Sequence, residues 1–388
     1  MHDNYHRAPL RCAIVPPTPT PYREPLFREL ARREGLEVTV VYQSQREPGW
    51  DAPLDWFPSE HPYPARHLRS WQRARPGRTP VVWPRGLPGA LRQLDPDCVV
   101  AWEYGSASLQ AFFWCRAHRR AFVIFTECTP RIDELLSGAQ LRLHRWLARH
   151  ADGLIATSSA ARTRLRAFGV PDQRINVSLQ AADVARFRAA AAARATIAEE
   201  RDSGPRRPVR VLTVGRLVPD KNLRTLLEAF VRAGLTDDDA RLDVVGVGFL
   251  EEELKRRARE LQVPAVFRGH LPPERLPELF AAADVYAQVS TYEPFGVVLR
   301  EAAAAGLPLL CTARAGAVGD VAIADRNALV VDPERVEEVA GALLRLVEDD
   351  ELRRRLSAGS RAIDAATDGL DVAAFATAIF AAARGRSQ

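Results

Sequence analysis

The sequence predicts an α/β protein built as two doubly wound domains, and three observations carry that reading. Short apolar runs alternate with longer helical patterns along the chain, as βαβ units and mainly parallel sheets require. The 388 residues exceed what one ordinary α/β core holds and suit two domains. Near the middle, the polar segment Ala198–Pro208 carries Gly204, Pro205 and Pro208 and reads as a linker, with a new strand directly after it. Domains over 1–200 and 201–370 follow, each doubly wound and Rossmann-like, with the strand carboxyl ends facing a central cleft.

In the first half, strands are expected at Cys12–Val15, Glu37–Tyr42, Val81–Trp83, Cys98–Trp102, Phe122–Phe125, Leu154–Thr157 and Ile175–Leu179. Helical patterns such as Arg23–Arg33, Ser106–Arg119 and Ser159–Phe168 fall between them. In the second half, strands are expected at Val209–Val214, Leu242–Gly246, Ala265–Arg268, Val285–Gln288, Pro308–Cys311 and Ala328–Val331. Their helices are Leu223–Arg232, Leu250–Leu261, Glu274–Ala282, Gly296–Ala304 and Val336–Val347.

Composition removes several function classes. With 47% hydrophobic and 27% charged residues the chain can bury real cores. No apolar run approaches the roughly 18 residues of a membrane span. The N-terminal MHDNYHRAPLRCAIVPP lacks an apolar segment with a cleavage site, so a cytoplasmic protein is expected. Cys12, Cys98, Cys115, Cys128 and Cys311 are scattered, which disfavours a disulfide framework or a zinc site.

The net charge of +5 hides an asymmetry. Residues 1–200 hold 28 Arg against 20 acids, whereas residues 201–388 hold 26 Lys and Arg against 29 acids. No acid occurs between Glu60 and Asp95, yet Arg66, Arg69, Arg73, Arg75, Arg78, Arg85 and Arg92 do, with Trp71 and Trp83. One reading is a solvated loop. The other is a surface for an anionic acceptor or the inner face of an acidic membrane, with the protein peripheral there. A nucleic-acid partner is not expected, because no supporting fold motif is present. Asp95-Pro-Asp97 has the spacing of a metal-binding pair but precedes a strand, so it reads as a turn.

Two segments carry the chemistry. In VLTVGRLVPDKNLRTLLEAF (Val211–Phe230) a buried strand ends at Gly215, and its loop offers Arg216 and Lys221 to a diphosphate. Lys221 is one of only two lysines in the chain. The bland alternative is that both cations pair with surface acids. In STYEPFGVVLREAAAAGLPLLCT (Ser290–Thr312), Pro294 sits where a helix can start. Phe295, Gly296 and Val297 then present backbone N–H groups to an anion. Glu293 precedes that helix and Glu301 lies about 9 Å into it. The two carboxylates suit hydroxyls at opposite ends of a sugar diphosphate. An acid as apolar in its surroundings as Glu301 needs a partner.

Together these segments resemble the retaining family 4 glycosyltransferases of the GT-B fold, most strongly over Val209–Val331. The glutamate pair with seven residues between, inside S-x-x-E-P-F-G…E-A-x-A-x-G-x-P, is specific for that group. The resemblance implies that Arg216 and Lys221 grip the donor diphosphate, that Glu301 holds the ribose and that Glu293 contacts the transferred sugar. It implies backbone contacts at Phe295–Val297, base contacts at His270 and Leu271, and a glycine turn within VVGVGFLEEEL, where Val247 replaces a small polar residue. It further implies retention, no obligatory metal or cofactor, a UDP or GDP sugar as co-substrate, and a C-terminal helix over 371–388 that packs back toward the first domain.

The first half departs from the family. Its first loop reads PPTPTPYREP rather than glycine-rich, which leaves Tyr22 and Arg23 as acceptor-side candidates. Where many relatives present a histidine, this chain has Thr126-Glu127-Cys128, so Glu127 is the catalytic candidate; a strand-end cap is the plainer reading. Trp102-Glu103-Tyr104, at the end of another strand, is expected to line the same crevice, with Glu103 and Tyr104 as further acceptor-side candidates. The expected function is retaining transfer from a nucleotide sugar to an undefined hydroxyl or other nucleophile. A nucleotide-sugar epimerase or a sugar phosphorylase of this architecture, and a non-catalytic nucleotide- or sugar-binding relative, are the alternatives.

Overall fold

The computed structural model describes residues 8–46, 56–75, 78–199 and 207–386. The chain divides into two units, Met1–Ala181 with Gly369–Gln388, and Ala182–Asp368.

The first unit begins with β1 (Leu10–Val15), α1 (Glu24–Ala31), β2 (Leu36–Tyr42) and β3 (Ala65–His67). The pair β4 (Arg69–Arg75) and β5 (Arg78–Arg85) and then α2 (Leu87–Leu94) follow. Next come β6 (Cys98–Trp102), α3 (Ser106–His118), β7 (Ala121–Thr126), α4 (Gly138–His150), β8 (Gly153–Ala156), α5 (Ser159–Ala167) and β9 (Ile175–Val177). Seven of these strands form one sheet in the order β3-β2-β1-β6-β7-β8-β9, with parallel pairing throughout. β6 (CVVAW) and β7 (AFVIFT) are buried at every residue, because helices cover both faces of a parallel sheet.

Val81–Trp83 is a strand, as expected, but it lies outside that sheet. It belongs to β5, which pairs with β4 in an antiparallel hairpin. Pro80 and Pro84 lack the N–H groups a central strand would donate, which confines the segment to an edge. At the opposite end of the sheet, Asp95 and Asp97 are indeed structural. Asp95 caps α2 in the left-handed region, and the two carboxylates bind Arg11 and Arg120 at 2.6–3.5 Å.

The second unit opens with α6 (Val184–Glu199), β10 (Val209–Val214), α7 (Leu223–Arg232), β11 (Ala240–Val245), α8 (Glu251–Glu260) and β12 (Ala265–Phe267). It continues with α9 (Leu276–Ala282), β13 (Val285–Gln288), α10 (Val297–Ala304), β14 (Leu309–Thr312), β15 (Ala328–Val331), α11 (Val336–Glu348) and α12 (Asp350–Thr367). The sheet order is β12-β11-β10-β13-β14-β15, again parallel. The boundary between units falls at Ala181/Ala182, ahead of the Ala198–Pro208 segment, of which 200–206 lie outside the described residues. The reason is α6: Phe187 packs edge-on to Phe280 at 5.0 Å, and Arg188 pairs with buried Asp364 at 2.8 Å.

α13 (Leu370–Arg386) belongs to the first unit. By length and mean composition alone the stretch Asp350–Arg386 could cross a bilayer, although it holds no uninterrupted apolar run of that length. It is two helices broken at Gly369, where φ is +69°. Phe375, Ala376, Ala378 and Ile379 of α13 are fully buried in the first unit's core, beside Phe125 and Ile155.

Candidate active site

In an open parallel sheet a ligand binds outside the strand carboxyl ends, where the strand order reverses. Those points lie between β10 and β13 in the second unit and between β1 and β6 in the first.

At the second unit's switch point, three loops are laced together by backbone hydrogen bonds. The N–H of Gly215 donates to Val245 O at 2.9 Å, that of Leu217 to Val247 O at 2.9 Å, and that of Gly246 to Gly269 O at 2.8 Å. The loops approach so closely that a Cβ on Gly246, at φ +131°, would stand 1.9 Å from Gly215 O. One on Gly248 would stand 2.4 Å from Leu217 O. The turn in VVGVGFLEEEL therefore keeps side chains off the backbone that follows β10. His270 and Leu271 come next after Gly269 and are half-buried.

Lys221 closes a single 3-10 turn over Pro219–Lys221. Asn222 fastens that turn, its amide donating to Val289 O at 3.2 Å and Pro333 O at 3.0 Å. Lys221 Nζ then donates to Glu293 Oε2, which also accepts from Gln288 Nε2 at 3.0 Å. Tyr286 O–H donates to Gln288 Oε1 at 3.0 Å and so fixes which way the amide points. Gln288 was not a sequence candidate; its signal was an amide at the end of an otherwise apolar strand. Arg216 lies exposed on the same loop.

The helix after Glu293 starts later than Pro294 suggested. α10 begins at Val297, and Gly296 is its N-cap in the left-handed region at φ +90°. A Cβ there would crowd Glu293 Cγ at 3.1 Å and Gln288 Nε2 at 3.2 Å, so the glycine lets these two groups meet. The Phe295 side chain is 2% exposed and belongs to the core, which leaves only its backbone to a ligand. A segment the sequence reading passed over braces it: Gly316 N–H donates to Glu293 O at 3.0 Å and Ala317 N–H to Phe295 O at 2.8 Å. Glu301 is buried in α10, and burial, with the nearby charge of Asp183, pushes its pKa up to about 8. A larger cavity, about 710 Å³, lies beside Asp284 and Pro308, away from this chemistry.

The first unit's switch point is built from charge instead of glycine. Arg23, in the 3-10 turn Pro21–Arg23, has its guanidinium 5.0 Å from the ring centres of Tyr22 and of Trp102. It donates to Glu127 Oε1 at 3.1 Å, and both side chains are largely buried. The same oxygen accepts from Gln180 Nε2 at 2.8 Å and, more weakly, from Trp102 Nε1 at 3.5 Å. No hydrogen bond to Oε2 occurs among the described residues, so Glu127 presents one free edge. Trp102 lies at the same crevice as Glu127, as its strand-end position suggested, whereas Gln180 escaped the sequence reading, since no local pattern links it to Glu127.

Two acceptor-side candidates are corrected. Glu103 does not line open space: its carboxylate accepts from Thr126 Oγ1 at 2.8 Å, Glu127 N–H at 2.6 Å and Cys128 Sγ at 3.1 Å. Burial and the charge of Glu127 push its pKa up. It positions the loop that carries Glu127. Tyr104 is 3% exposed within the core, stacked on His144 at 4.3 Å. Among the described residues no group of three or more His, Cys, Asp or Glu side chains could hold a metal ion.

Comparison with known proteins matches both halves of the chain. Residues 18–178 fit the glycosyl transferase 4-like domain and residues 197–362 fit glycosyl transferases group 1. Glycogen synthase of Mycobacterium tuberculosis is 32% identical over 263 residues, 65% of this chain and 61% of the relative. The matched region thus spans about three fifths of that relative's length. The GDP-mannose-dependent alpha-(1-6)-phosphatidylinositol monomannoside mannosyltransferase of the same organism is 32% identical over 55% of this chain and 58% of its own. Among solved structures, Anabaena HepE in complex with UDP superposes with a TM-score of 0.73 at 19% identity, covering 97% of this chain and 100% of that one. Sucrose-phosphate synthase from Thermosynechococcus elongatus gives 0.73 at 18% identity, covering 98% and 100%. With both of its parallel-sheet units matched in this way, the chain belongs to the family 4 glycosyltransferases of the GT-B fold.

Proposed function

We propose that the protein transfers a sugar from a nucleoside-diphosphate sugar to an acceptor hydroxyl, with retention at the anomeric carbon. The observation that carries this reading is the Lys221–Glu293–Gln288 chain set against bare glycine backbone at the second switch point. In the structure Glu293 is the anion on Lys221. A donor diphosphate would take its place, leaving Lys221 and Arg216 on the phosphates and Glu293 on the sugar hydroxyls. Relatives support the donor class: one is described as GDP-mannose-dependent, and HepE is known in complex with UDP-glucose. In the reaction the bond from the anomeric carbon to the diphosphate oxygen breaks with its electron pair leaving on the phosphate. The acceptor oxygen bonds to the same face, and its proton passes to the departing phosphate. Glu127, in the first unit, presents Oε2 to the acceptor.

The test is calorimetry with UDP, GDP and ADP and their sugars. One nucleotide should bind, and Lys221→Ala and Arg216→Ala should each weaken it about 10- to 100-fold, as loss of a charged hydrogen bond implies. Glu293→Ala should bind free nucleotide normally and lose turnover with the sugar nucleotide. Unchanged affinity in both cation variants would overturn the assignment.

A further inference from the structure

The β4–β5 hairpin has two unlike faces. In its antiparallel register Arg69 stands opposite Arg85, Trp71 opposite Trp83 and Arg73 opposite Val81. Directly opposed residues share a face, so these three rows lie on one side and the rows Ser70/Pro84 and Gln72/Val82 on the other. The second side is fastened to the body of the unit. Ser70 Oγ donates to Gln43 O, Gln72 Nε2 to Ser44 Oγ at 2.6 Å, Ser106 Oγ to Val82 O and Gln110 Nε2 to Pro84 O at 3.2 Å. All six residues of the first side are exposed: Trp71 is 46%, Trp83 49% and Val81 54% accessible. A ladder with arginines at both ends, two tryptophans between them and Val81 beside Arg73, on a stretch without acids from 61 to 94, is left facing solvent.

We infer that this outer face docks on an anionic lipid surface. Arginine attracts lipid phosphate within about a Debye length of 8–10 Å. Tryptophan favours the boundary between headgroups and acyl chains, where its ring is buried and its N–H stays hydrated. Val81 decides among anionic partners. An exposed aliphatic side chain in the same plane gains nothing from a sugar or a nucleobase, but it gains by entering the acyl boundary. Charge and insertion together supply the two signals that stable membrane attachment requires.

The experiment is co-sedimentation of the full chain with vesicles of phosphatidylcholine alone or containing phosphatidylglycerol. Binding should require phosphatidylglycerol and fall steeply with salt. Replacing Arg69, Arg73 and Arg85 together by Gln should weaken it roughly tenfold or more. Trp71→Ser with Trp83→Ser should abolish the blue shift of tryptophan emission that binding produces. Both variants should keep the wild-type nucleotide affinity, which separates this result from failure of the transfer reaction itself. Equal binding to neutral vesicles, unimpaired binding by both variants, or capture of a soluble acidic polysaccharide or RNA with no vesicle binding would each overturn the inference.

Discussion

The two units use one scaffold to make unlike sites. Both are parallel sheets whose strand order reverses once, and both place their polar residues at the carboxyl ends beside that reversal. In the second unit the site is made by subtraction. Gly215, Gly246 and Gly296 remove side chains so that backbone, Lys221 and Glu293 can meet a ligand. In the first unit it is made by addition. Arg23, Gln180 and Trp102 converge on one oxygen of Glu127, and Glu103 locks the loop beneath. A site of bare backbone suits a repeated ligand such as a diphosphate.

The sharpest break is in the glycine loops. Gly246→Ala places a methyl group 1.9 Å from Gly215 O and forces an L residue to φ +131°. Gly319 separates the two causes, since it also has positive φ, +92°, but nothing lies within 4 Å of its Cβ. Gly319→Ala should cost about 1–2 kcal/mol, the conformational term alone. Gly246→Ala should cost several kcal/mol and lose nucleotide binding, as read by urea denaturation and calorimetry. Equal stabilities for the two variants would show that the loops tolerate separation.

Next in size is the ion pair of the first unit. Arg23→Met leaves Glu127 with two neutral donors in a mostly buried place, and removing one partner of such a pair costs about 3–5 kcal/mol. Glu127→Gln should cost less, since an amide oxygen still accepts from Gln180, yet it should lose turnover. Neither variant should change nucleotide affinity, if the two sites divide the work as proposed. A Glu127→Gln protein with wild-type turnover would reduce Glu127 to a strand-end cap.

The same contrast explains what the sequence made legible. The second site lies on two contiguous segments, so Arg216, Lys221, Glu293 and Glu301 could be named from local pattern and family resemblance. Gln288, bonded only to Tyr286 and Glu293 nearby in sequence among the described residues, left just the faint signal of an amide ending an apolar strand, and the Gly316–Ala317 brace left none, because it forms only when the chain after β14 returns beside the loop after β13. In the first unit Arg23, Glu127 and Gln180 are separated by 104 and 53 residues, and only the sheet order brings them together. Tyr104's burial was not legible because a position after a strand end does not say which way a loop turns its side chains. Val81-Val82-Trp83 is a strand, as its composition suggests, and only the flanking prolines mark it as lying outside the parallel sheet, in the β4–β5 hairpin.

The smallest effect concerns Glu301, and it tests whether subtraction or charge governs the second site. Burial holds its pKa at about 8, above the ordinary 4.5 of a glutamate. Between those values the folded protein binds a proton that the unfolded chain has released. Stability from this group is therefore complete below about pH 4.5 and is lost as pH rises toward 8, at up to about 1.4 kcal/mol per pH unit. Glu301→Gln should remove that slope, so its urea midpoint should fall less than the wild type's between pH 6 and pH 8. If ribose hydroxyls donate to Glu301, they require the carboxylate, and the nucleotide must then expel its proton. Wild-type affinity should rise from pH 6 to pH 8 with proton release on binding, whereas Glu301→Gln should bind more weakly and with little pH dependence. Parallel stability profiles would show that the carboxyl is not protonated at neutral pH. A wild-type affinity that does not change with pH would remove Glu301 from the ribose and leave the donor held by backbone and cations alone.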